Sequence, residues 1–290
     1  MNDRFDRNIR FFGKTGQAKL ADARVVVVGV GGLGTQVVQQ LALLGVSRFA
    51  LIDSEELDTT NLNRYVGVYH GDPIPGTPKV EIGERLIKSI ALDTRVDKVH
   101  DSLVSSTAFD AVINADYVFG CLDSEGARLI LNELCAAYSR PYIDLASEII
   151  PGDPPEYGGR IFVAWDGTGC IVCSCVIDLA EAQADLLNPE AKRNRAAIYG
   201  MQPDLLGQVG PSVVSINGVV ASLAVTEFMV AVTGIRPPKR LFTYYGKRGI
   251  VTVSDEEPSP DCYYCKGIRG KGDAIGVQDY IRKRVGQFLR

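Results

Sequence analysis

One apolar run that ends in a glycine-rich turn constrains the fold more than any other part of the sequence. Residues 25–28 are four consecutive valines, which is typical of a parallel strand buried on both faces. Residues 29–34 then read Gly-Val-Gly-Gly-Leu-Gly. Gly29 permits a tight turn, Gly31 lets a phosphate approach the backbone, and Gly34 lets the following helix pack on the strand. The stretch therefore predicts a strand, a turn and a helix whose first N–H groups attract an anion.

An acidic residue indicates that this anion belongs to a nucleotide. Asp53 follows Gly34 by nineteen positions and ends a second apolar strand, residues 49–52. A carboxylate at this place accepts hydrogen bonds from a ribose in dinucleotide-binding folds. The same pattern fits enzymes that use NAD or FAD, so other residues must decide which nucleotide binds. The predicted loop contacts come from Gly29, Gly31, Gly32 and Gly34.

Alternating apolar segments predict the architecture. Up to Leu145 the order is β-α-β-α-β-β-α-β, which is typical of a doubly wound sheet. After it, residues 160–165, 240–246 and 249–253 favour antiparallel strands. We therefore predict an α/β, Rossmann-like, mostly parallel sheet with antiparallel C-terminal strands. The strongly apolar residues 212–232 predict a helix in the core or at a dimer interface, because Asn217 and Glu227 are among the polar residues that interrupt them.

Residues downstream of Asp53 favour a triphosphate over the diphosphate of NAD. Asn61 and Arg64 lie in a polar passage, and Lys79 begins the next predicted helix. Arg64 can hold phosphate oxygens bidentately, and Lys79 offers a compact charge. Asp123 ends a buried strand, where such sheets bind ligands, and a carboxylate beside phosphates can hold Mg²⁺. Any one of them alone is an ordinary solvated loop residue, but together they predict an ATP and Mg²⁺ site.

The seven cysteines contain two C-x-x-C pairs, Cys170 with Cys173 and Cys262 with Cys265. This spacing allows two thiolates to hold one tetrahedral Zn²⁺, although the fold must bring the distant pairs together. The alternative is two unliganded dithiols. Cys121 lies in a predicted buried strand and Cys135 on a predicted helix, so we expect both to be core thiols.

Taken in order, these motifs resemble the ThiF/MoeB/E1-like superfamily, whose members adenylate the C-terminus of ubiquitin-like and sulfur-carrier proteins. The resemblance spans nearly the whole chain. Besides the glycine loop, Asp53 and the four spaced cysteines, it is carried by residues 4–9, 61–64, 76–81 and 121–123. One departure is that Ser124 follows Asp123, where the family often has asparagine.

The resemblance implies a role for each matched residue. Asp53 would bind the ribose; Asn61, Arg64 and Lys79 would bind phosphates; and Asp123 would be the essential carboxylate associated with Mg²⁺. Arg7 would be an arginine finger that reaches the γ-phosphate bound by the partner subunit of a homodimer. The four paired cysteines would hold a structural Zn²⁺ that fastens the C-terminal segment.

The predicted organisation is a single adenylation domain over residues 1–290. It comprises an N-terminal helical arm (1–23), a nucleotide-binding half (24–150), a crossover loop with the antiparallel half (151–261), and a zinc-linked basic tail (262–290). The family places its mobile crossover loop at residues 178–202, and an exposed surface helix is the alternative there.

The predicted function is ATP-dependent adenylation of the C-terminal glycine of a carrier that ends in Gly-Gly. The attacking carboxylate is already ionised at pH 7, so no general base is needed. An E2-like protein or a sulfurtransferase would then accept the activated group. The alternatives are an enzyme of the same fold that acts on a peptide or small acid, a non-catalytic scaffold subunit, and an NAD-dependent dehydrogenase. The phosphate-binding cations disfavour the dehydrogenase.

Cys175 follows Cys173 by two residues and leaves three interpretations open. It could carry the substrate as a thioester, as a cysteine near this place does in some relatives of the E1 type, or it could be a spare zinc ligand. The third interpretation is that the enzyme stops at the adenylate and passes it to another protein's thiol or persulfide.

Charge and hydropathy argue against two classes of partner. The net charge of −4 gives no overall attraction to nucleic acids or acidic lipids. No run reaches the roughly 18 uninterrupted apolar residues of a membrane span, and the charged N-terminus lacks an apolar signal core. We therefore expect a cytoplasmic protein.

Overall fold

The fold is an eight-stranded mixed sheet with helices on both faces. The computed structural model describes residues 3–165, 167, 169–187, 210–254 and 257–281. The strands are β1 (Arg24–Val28), β2 (Arg48–Ile52), β3 (Arg95–Val99), β4 (Tyr117–Gly120), β5 (Tyr142–Ile150), β6 (Glu156–Ala164), β7 (Leu241–Tyr245) and β8 (Ile250–Ser254). The α-helices are α1 (Asp6–Asp22), α2 (Gly32–Leu44), α3 (Lys79–Ile90), α4 (Ser106–Ile113), α5 (Glu125–Ala137), α6 (Leu179–Asp185) and α7 (Val214–Thr233).

The strand order is β3-β2-β1-β4-β5-β6-β7-β8. The first five strands in this order pair in parallel, and β6, β7 and β8 add antiparallel pairs at one end. The parallel part has the order 3-2-1-4-5 of a doubly wound fold. The predicted fold class is therefore confirmed.

The valine run occupies the centre of this sheet. Val25 and Val27 belong to one apolar cluster, which includes Phe228 of α7. Val26 belongs to a second cluster on the opposite face, which includes Phe109 of α4. Because both faces of β1 are covered, its sequence is continuously apolar instead of alternating.

One helix is missing from the order predicted from the sequence. Between β3 and β4 the chain forms α4, whose N-cap residue Ser105 accepts a hydrogen bond from the Ala108 N–H at 3.2 Å. The expectation that one strand follows the other directly was wrong. Since β3 lies at the sheet edge and β4 beside β1, the chain must cross the sheet, and parallel strands need a crossover connection.

The antiparallel part is larger than predicted. Strands β5 and β6 pair along their whole length, from Tyr142 opposite Ala164 to Ile150 opposite Glu156. The sequence predicted only residues 141–145 and 160–165, because the outer halves of both strands are largely uncovered and lack a continuous apolar pattern. A single sheet therefore includes strands from both sides of residue 150, where the nucleotide-binding half was predicted to end.

Helix α7 has the length and composition of a membrane span, with a mean hydropathy of 1.7, but half of that window is buried in the protein. Its buried polar residues are paired. Asn217 accepts a hydrogen bond from the Ser147 hydroxyl at 2.8 Å, and the Glu227 carboxylate accepts one from the Lys239 N–H at 2.8 Å. The helix itself is confirmed and half of it packs in the core, whereas the dimer-interface alternative stays a prediction.

Two predicted segments are described only in part. In the stretch at 178–202, where a crossover loop or an exposed surface helix was predicted, the structure gives α6, and residues 188–209 lie outside the described part of the chain. In the basic tail, residues 263–268 form a short π-helix. Residues 282–290 lie outside the described part of the chain.

Candidate nucleotide site and metal centre

The glycine loop lies at the carboxyl edge of the sheet, where the strand order reverses between β2 and β4 around β1. Gly29 has a φ of +88°, and a Cβ atom there would lie 2.4 Å from the Cys121 carbonyl oxygen. A Cβ atom on Gly34 would lie 2.0 Å from the Gly29 carbonyl oxygen. No side chain fits at either position. Helix α2 begins after Gly31 without a side-chain cap, so its first N–H groups face the crevice where such folds bind phosphates.

Asp53 fastens this loop to the end of β2. Its carboxylate accepts hydrogen bonds from the Val30 N–H at 2.7 Å and from the Glu55 N–H at 2.9 Å. Burial raises the pKa of Asp53, although these two N–H groups and the charge of Lys79 oppose the shift. Each carboxylate oxygen can accept a further hydrogen bond, so the geometry is compatible with the predicted contact to a ribose.

Both predicted phosphate-binding cations are engaged with protein oxygens. The ammonium group of Lys79, a residue only 8% exposed, pairs with the carboxylate of Glu55, whose side chain is 65% exposed. Arg64 donates to the Thr60 carbonyl and, at 3.2 Å, to the Asn63 side chain. A triphosphate would therefore have to replace Glu55 as the partner of Lys79. The exposed Glu55 carboxylate can turn into water when the triphosphate takes its place, so the buried ammonium group keeps an anionic partner.

Asn61 contributes to local structure. It is 5% exposed, and its side-chain oxygen accepts a hydrogen bond from the Asp58 N–H at 3.0 Å, closing a capping box around the short helix at Thr59–Asn61. A phosphate contact from Asn61 would have to use the N–H groups of its amide.

Tyr65 is a site residue that the sequence reasoning missed. It is 8% exposed, and its hydroxyl has no hydrogen-bond partner among the described residues. A Cβ atom on Gly31 would lie 3.7 Å from this hydroxyl, and the Lys79 ammonium lies 5.7 Å from the ring centre. Burial raises the pKa of Tyr65 well above its usual value, with further contributions from the charges of Asp53 and Glu55. A neutral hydrogen-bond donor therefore lies under the glycine loop. The one signal in the sequence is its place directly after Arg64.

Asp123 is exposed in the turn between β4 and α5.

A buried ion network, which the sequence reasoning also missed, packs against this turn on its protein side. Arg128 donates to the Leu122 carbonyl and, at 2.7 Å, to the Asp144 carboxylate. Asp144 is fully buried and also pairs with Arg160. Burial opposes its ionisation, but the two guanidinium groups prevail and lower the pKa of Asp144.

Arg7 lies at the opposite edge of the sheet. On the same arm, Arg4 donates to the Ile90 carbonyl at the end of α3 at 2.7 Å. The Phe5 ring lies against Gly45, where α2 ends. Since α2 has 13 residues and a rise of about 1.5 Å per residue, about 20 Å separate this end from the glycine loop. Arg7 is therefore not brought to the site of its own chain.

The two cysteine pairs meet in space. The sulfur of Cys170 lies 3.8 Å from that of Cys173 and 3.7 Å from that of Cys262, and the sulfurs of Cys173 and Cys265 are 3.7 Å apart. All four sulfurs lie within 4.8 Å of one another. Four sulfurs bound at about 2.3 Å to one tetrahedral zinc ion are separated by about 3.8 Å. The four residues therefore fit a Zn²⁺ ion.

The remaining cysteines lie outside this group. Cys121 and Cys135 are largely covered, and burial raises the pKa of both thiols, so they are inert core thiols, as expected. Cys175 is exposed and has a φ of +50°. Because four cysteines already complete a tetrahedral set without Cys175, the geometry does not favour a role as a spare zinc ligand.

The strand order, the glycine loop at the switch point and the acidic residue after β2 define a nucleotide-binding α/β protein. The ThiF family model matches residues 5–264, and the chain belongs to the ThiF family. The predicted resemblance is confirmed.

Curated relatives match over different lengths. The sulfur carrier protein ThiS adenylyltransferase of Escherichia coli is 29% identical over 227 residues, which is 77% of each chain. The SAMP-activating enzyme E1 of Haloferax volcanii is 34% identical over 143 residues, 49% of this chain and 52% of the relative. The pig protein named adenylyltransferase and sulfurtransferase MOCS3 is 32% identical over 51% of this chain. The match covers about half of the archaeal relative and 32% of the pig protein.

Solved structures share the fold. A crystal structure of Escherichia coli MccB with AMPCPP and MccA aligns with a TM-score of 0.71 at 22% identity, covering 91% of this chain and 74% of the other. At that identity the likeness establishes the fold alone.

Proposed function

We propose that the chain is an ATP-dependent adenylyltransferase of the E1-like type, which activates the C-terminal glycine of a ubiquitin-like or sulfur-carrier protein. One observation carries the proposal. In this ThiF-family chain, an uncapped helix N-terminus, Asp53 and Asp123 lie together at the switch point of the sheet. The names of the relatives support it, because two are called adenylyltransferases and a third is called an activating enzyme.

In the proposed reaction, a carboxylate oxygen of the carrier attacks the α-phosphorus of ATP. The bond from that phosphorus to the bridging oxygen breaks, and pyrophosphate leaves with the electron pair. No proton is transferred, because the carboxylate is ionised at pH 7. The site has to hold two anions in line and neutralise the charge on the departing pyrophosphate. Positioning of this kind lowers the activation free energy by about 7–11 kcal/mol.

Each described site residue has a role in this proposed reaction. Asp53 holds the ribose, and the first N–H groups of α2 hold phosphate oxygens. Lys79 exchanges Glu55 for the triphosphate, and Arg64 turns from the Thr60 carbonyl toward it. Asp123 would hold Mg²⁺, which supplies charge neutralisation when bound with ATP. Tyr65 remains protonated at neutral pH and can donate a hydrogen bond only if the glycine loop shifts on binding, since its hydroxyl is covered.

A second copy of the chain completes the proposed site. Arg7 is separated from its own glycine loop by the length of α2, so any contact with a γ-phosphate must be made across a dimer. A finger arginine of this kind accelerates phosphoryl transfer about 10³–10⁵-fold. We therefore propose a homodimer in which each arm serves the partner's site.

The cysteines are assigned separate roles. The group of Cys170, Cys173, Cys262 and Cys265 would hold a structural Zn²⁺, because a closed set of four thiolates leaves no position for substrate. This ion would fasten the segment around 262–265 to the loop after β6. The acyl group of the adenylate would then transfer to the Cys175 sulfur as a thioester, with AMP released as the acyl C–O bond breaks, or it would transfer in the same way to an E2-like protein or a sulfurtransferase.

ATP–pyrophosphate exchange tests the proposal. The assay compares the protein alone, the protein with a ThiS-type carrier that ends in Gly-Gly, and the protein with a short peptide. We expect exchange only with the carrier, and no exchange when the final glycine is deleted. Exchange driven by the peptide alone would favour the rival enzyme of the same fold, and absence of exchange in every arm would favour a non-catalytic subunit.

A further inference from the structure

Helix α6 docks against the turn that carries Asp123. The Asp185 carboxylate, at the last residue of α6, accepts hydrogen bonds from the Ser124 hydroxyl at 2.9 Å and from the Gly126 N–H at 3.1 Å. Ser124 immediately follows Asp123 in the sequence. A carboxylate from a segment some sixty residues downstream is therefore one residue away from the proposed Mg²⁺-associated group.

The contact is close enough to restrict the residue type. A Cβ atom on Gly126 would lie 2.7 Å from the Asp185 Cβ and 3.1 Å from the Ala182 carbonyl oxygen. Only glycine leaves room for α6 at this distance. Ser124 and Gly126 thus hold the C-terminal end of α6 against the turn that carries Asp123.

Asp185 also restrains the backbone beside Asp123. Ser124 is the N-cap residue of α5, and its hydroxyl accepts a hydrogen bond from the Ala127 N–H at 3.4 Å while donating to Asp185. The negative charge of Asp185 at this helix N-terminus is favoured by the helix dipole. On the other side of the turn, Arg128 holds the Leu122 carbonyl. Asp123 lies between these two attachments.

We infer that Asp185 is a positioning residue, which sets the orientation of Asp123 toward metal-bound ATP through Ser124 and Gly126. It also couples the site to the segment that follows Cys170 and Cys173. Ser124 stands where the resembled family often has asparagine, and its hydroxyl supplies the donor to Asp185. The inference rests on the proposed function.

The test compares Asp185→Ala with Asp185→Asn and with a matched control, Asp178→Ala. The Asp178 side chain caps the same helix by accepting hydrogen bonds from the Ala180 and Glu181 N–H groups, so its loss weakens α6 without removing a side-chain contact to α5. The readouts are the kcat of carrier-dependent exchange, the KM for ATP and the Mg²⁺ concentration that gives half-maximal rate.

For Asp185→Ala we expect a fall in kcat of about tenfold, as for a small displacement of a catalytic group, and a higher Mg²⁺ requirement. The KM for ATP should stay unchanged, since Asp53 and the glycine loop are untouched. Asp185→Asn should restore most of the rate, because its amide oxygen can accept both hydrogen bonds. Ser124→Ala should reproduce part of the loss without adding to that of Asp185→Ala, which is the signature of a shared interaction.

Equal Mg²⁺ dependence in Asp185→Ala and Asp178→Ala would overturn the inference. If the unaltered protein shows no exchange with any carrier, the proposed function fails, and binding of Mn²⁺ in the presence of a non-hydrolysable ATP analogue then tests Asp185 separately. Weaker Mn²⁺ binding in Asp185→Ala alone supports the inference. Unchanged binding, or no Mn²⁺ binding by the unaltered protein, contradicts it.

Discussion

Replacement of Asp144 by asparagine removes the central charge of the buried ion network that lies against the turn carrying Asp123. The carboxylate is fully buried and accepts hydrogen bonds from Arg128 at 2.7 Å and from the Tyr142 hydroxyl at 2.7 Å. Asparagine keeps the shape but removes the closest counter-charge of the buried Arg128 guanidinium and leaves only the Glu125 carboxylate, 3.8 Å from its Nε. Breaking a buried pair in this way costs about 3–5 kcal/mol.

This free energy corresponds to a measurable fall in Tm. For a chain of 290 residues, an unfolding entropy of about 2.1 cal/mol/K per residue converts the loss into a Tm decrease of about 5–8 °C. The matched control is Asp97→Asn, because Asp97 forms an exposed pair with Arg95 at 3.3 Å. Differential scanning calorimetry should show a shift below about 2 °C for this control, since exposed pairs contribute about 0–1 kcal/mol.

The stability difference should also depend on pH in a defined direction. Because the folded-state pKa of Asp144 is lowered, the unfolded chain binds its proton first as the pH falls. The contribution is therefore fully present above the ordinary carboxyl pKa of about 3.9 and is lost as the pH falls through the lower folded value. A Tm shift for Asp144→Asn no larger than that of Asp97→Asn at pH 7 would refute this account of the network.

Three further predictions concern the cysteines and the arm. Cys262→Ser should lower the zinc content from about one ion per chain toward zero and destabilise the protein, whereas Cys175→Ser should retain the metal; equal zinc content in the two variants would contradict the assigned ligand set. If Cys175 carries a thioester, a reductant-sensitive adduct with the carrier should appear on a non-reducing gel and disappear in Cys175→Ser; an adduct that persists would exclude Cys175. Arg7→Ala and Asp123→Ala should each abolish exchange as homodimers, and mixing them should restore part of the activity, because one mixed site keeps both groups; no recovery in a confirmed mixed dimer would refute action across the dimer.

The parts of this protein that were predictable are those with a local pattern. The valine run must be covered on both faces, so it predicts a central strand, and Asp53 follows β2 as expected. The pairing of the two C-x-x-C motifs required the resemblance as well, since 92 residues separate Cys170 from Cys262.

The parts that were missed depend on contacts between distant segments. Helix α4 has only eight residues, too short for a strong periodic signal. Neither Arg128 nor Asp144 reveals its partner in the sequence, and the contact of Asp185 with Ser124 exists only because α6 folds back on α5. The engagement of Lys79 with Glu55 likewise follows from the fold and not from the motif.

Transfer of labelled phosphorus tests the central claim most directly. The protein is incubated with a carrier that ends in Gly-Gly and with ATP labelled at either the α- or the γ-phosphate. We predict that label from the α-position becomes attached to the carrier carboxylate, that label from the γ-position leaves as pyrophosphate, and that Asp123→Ala transfers neither. Transfer of the γ-label to the carrier, or full transfer of the α-label by Asp123→Ala, would contradict adenylation at this site.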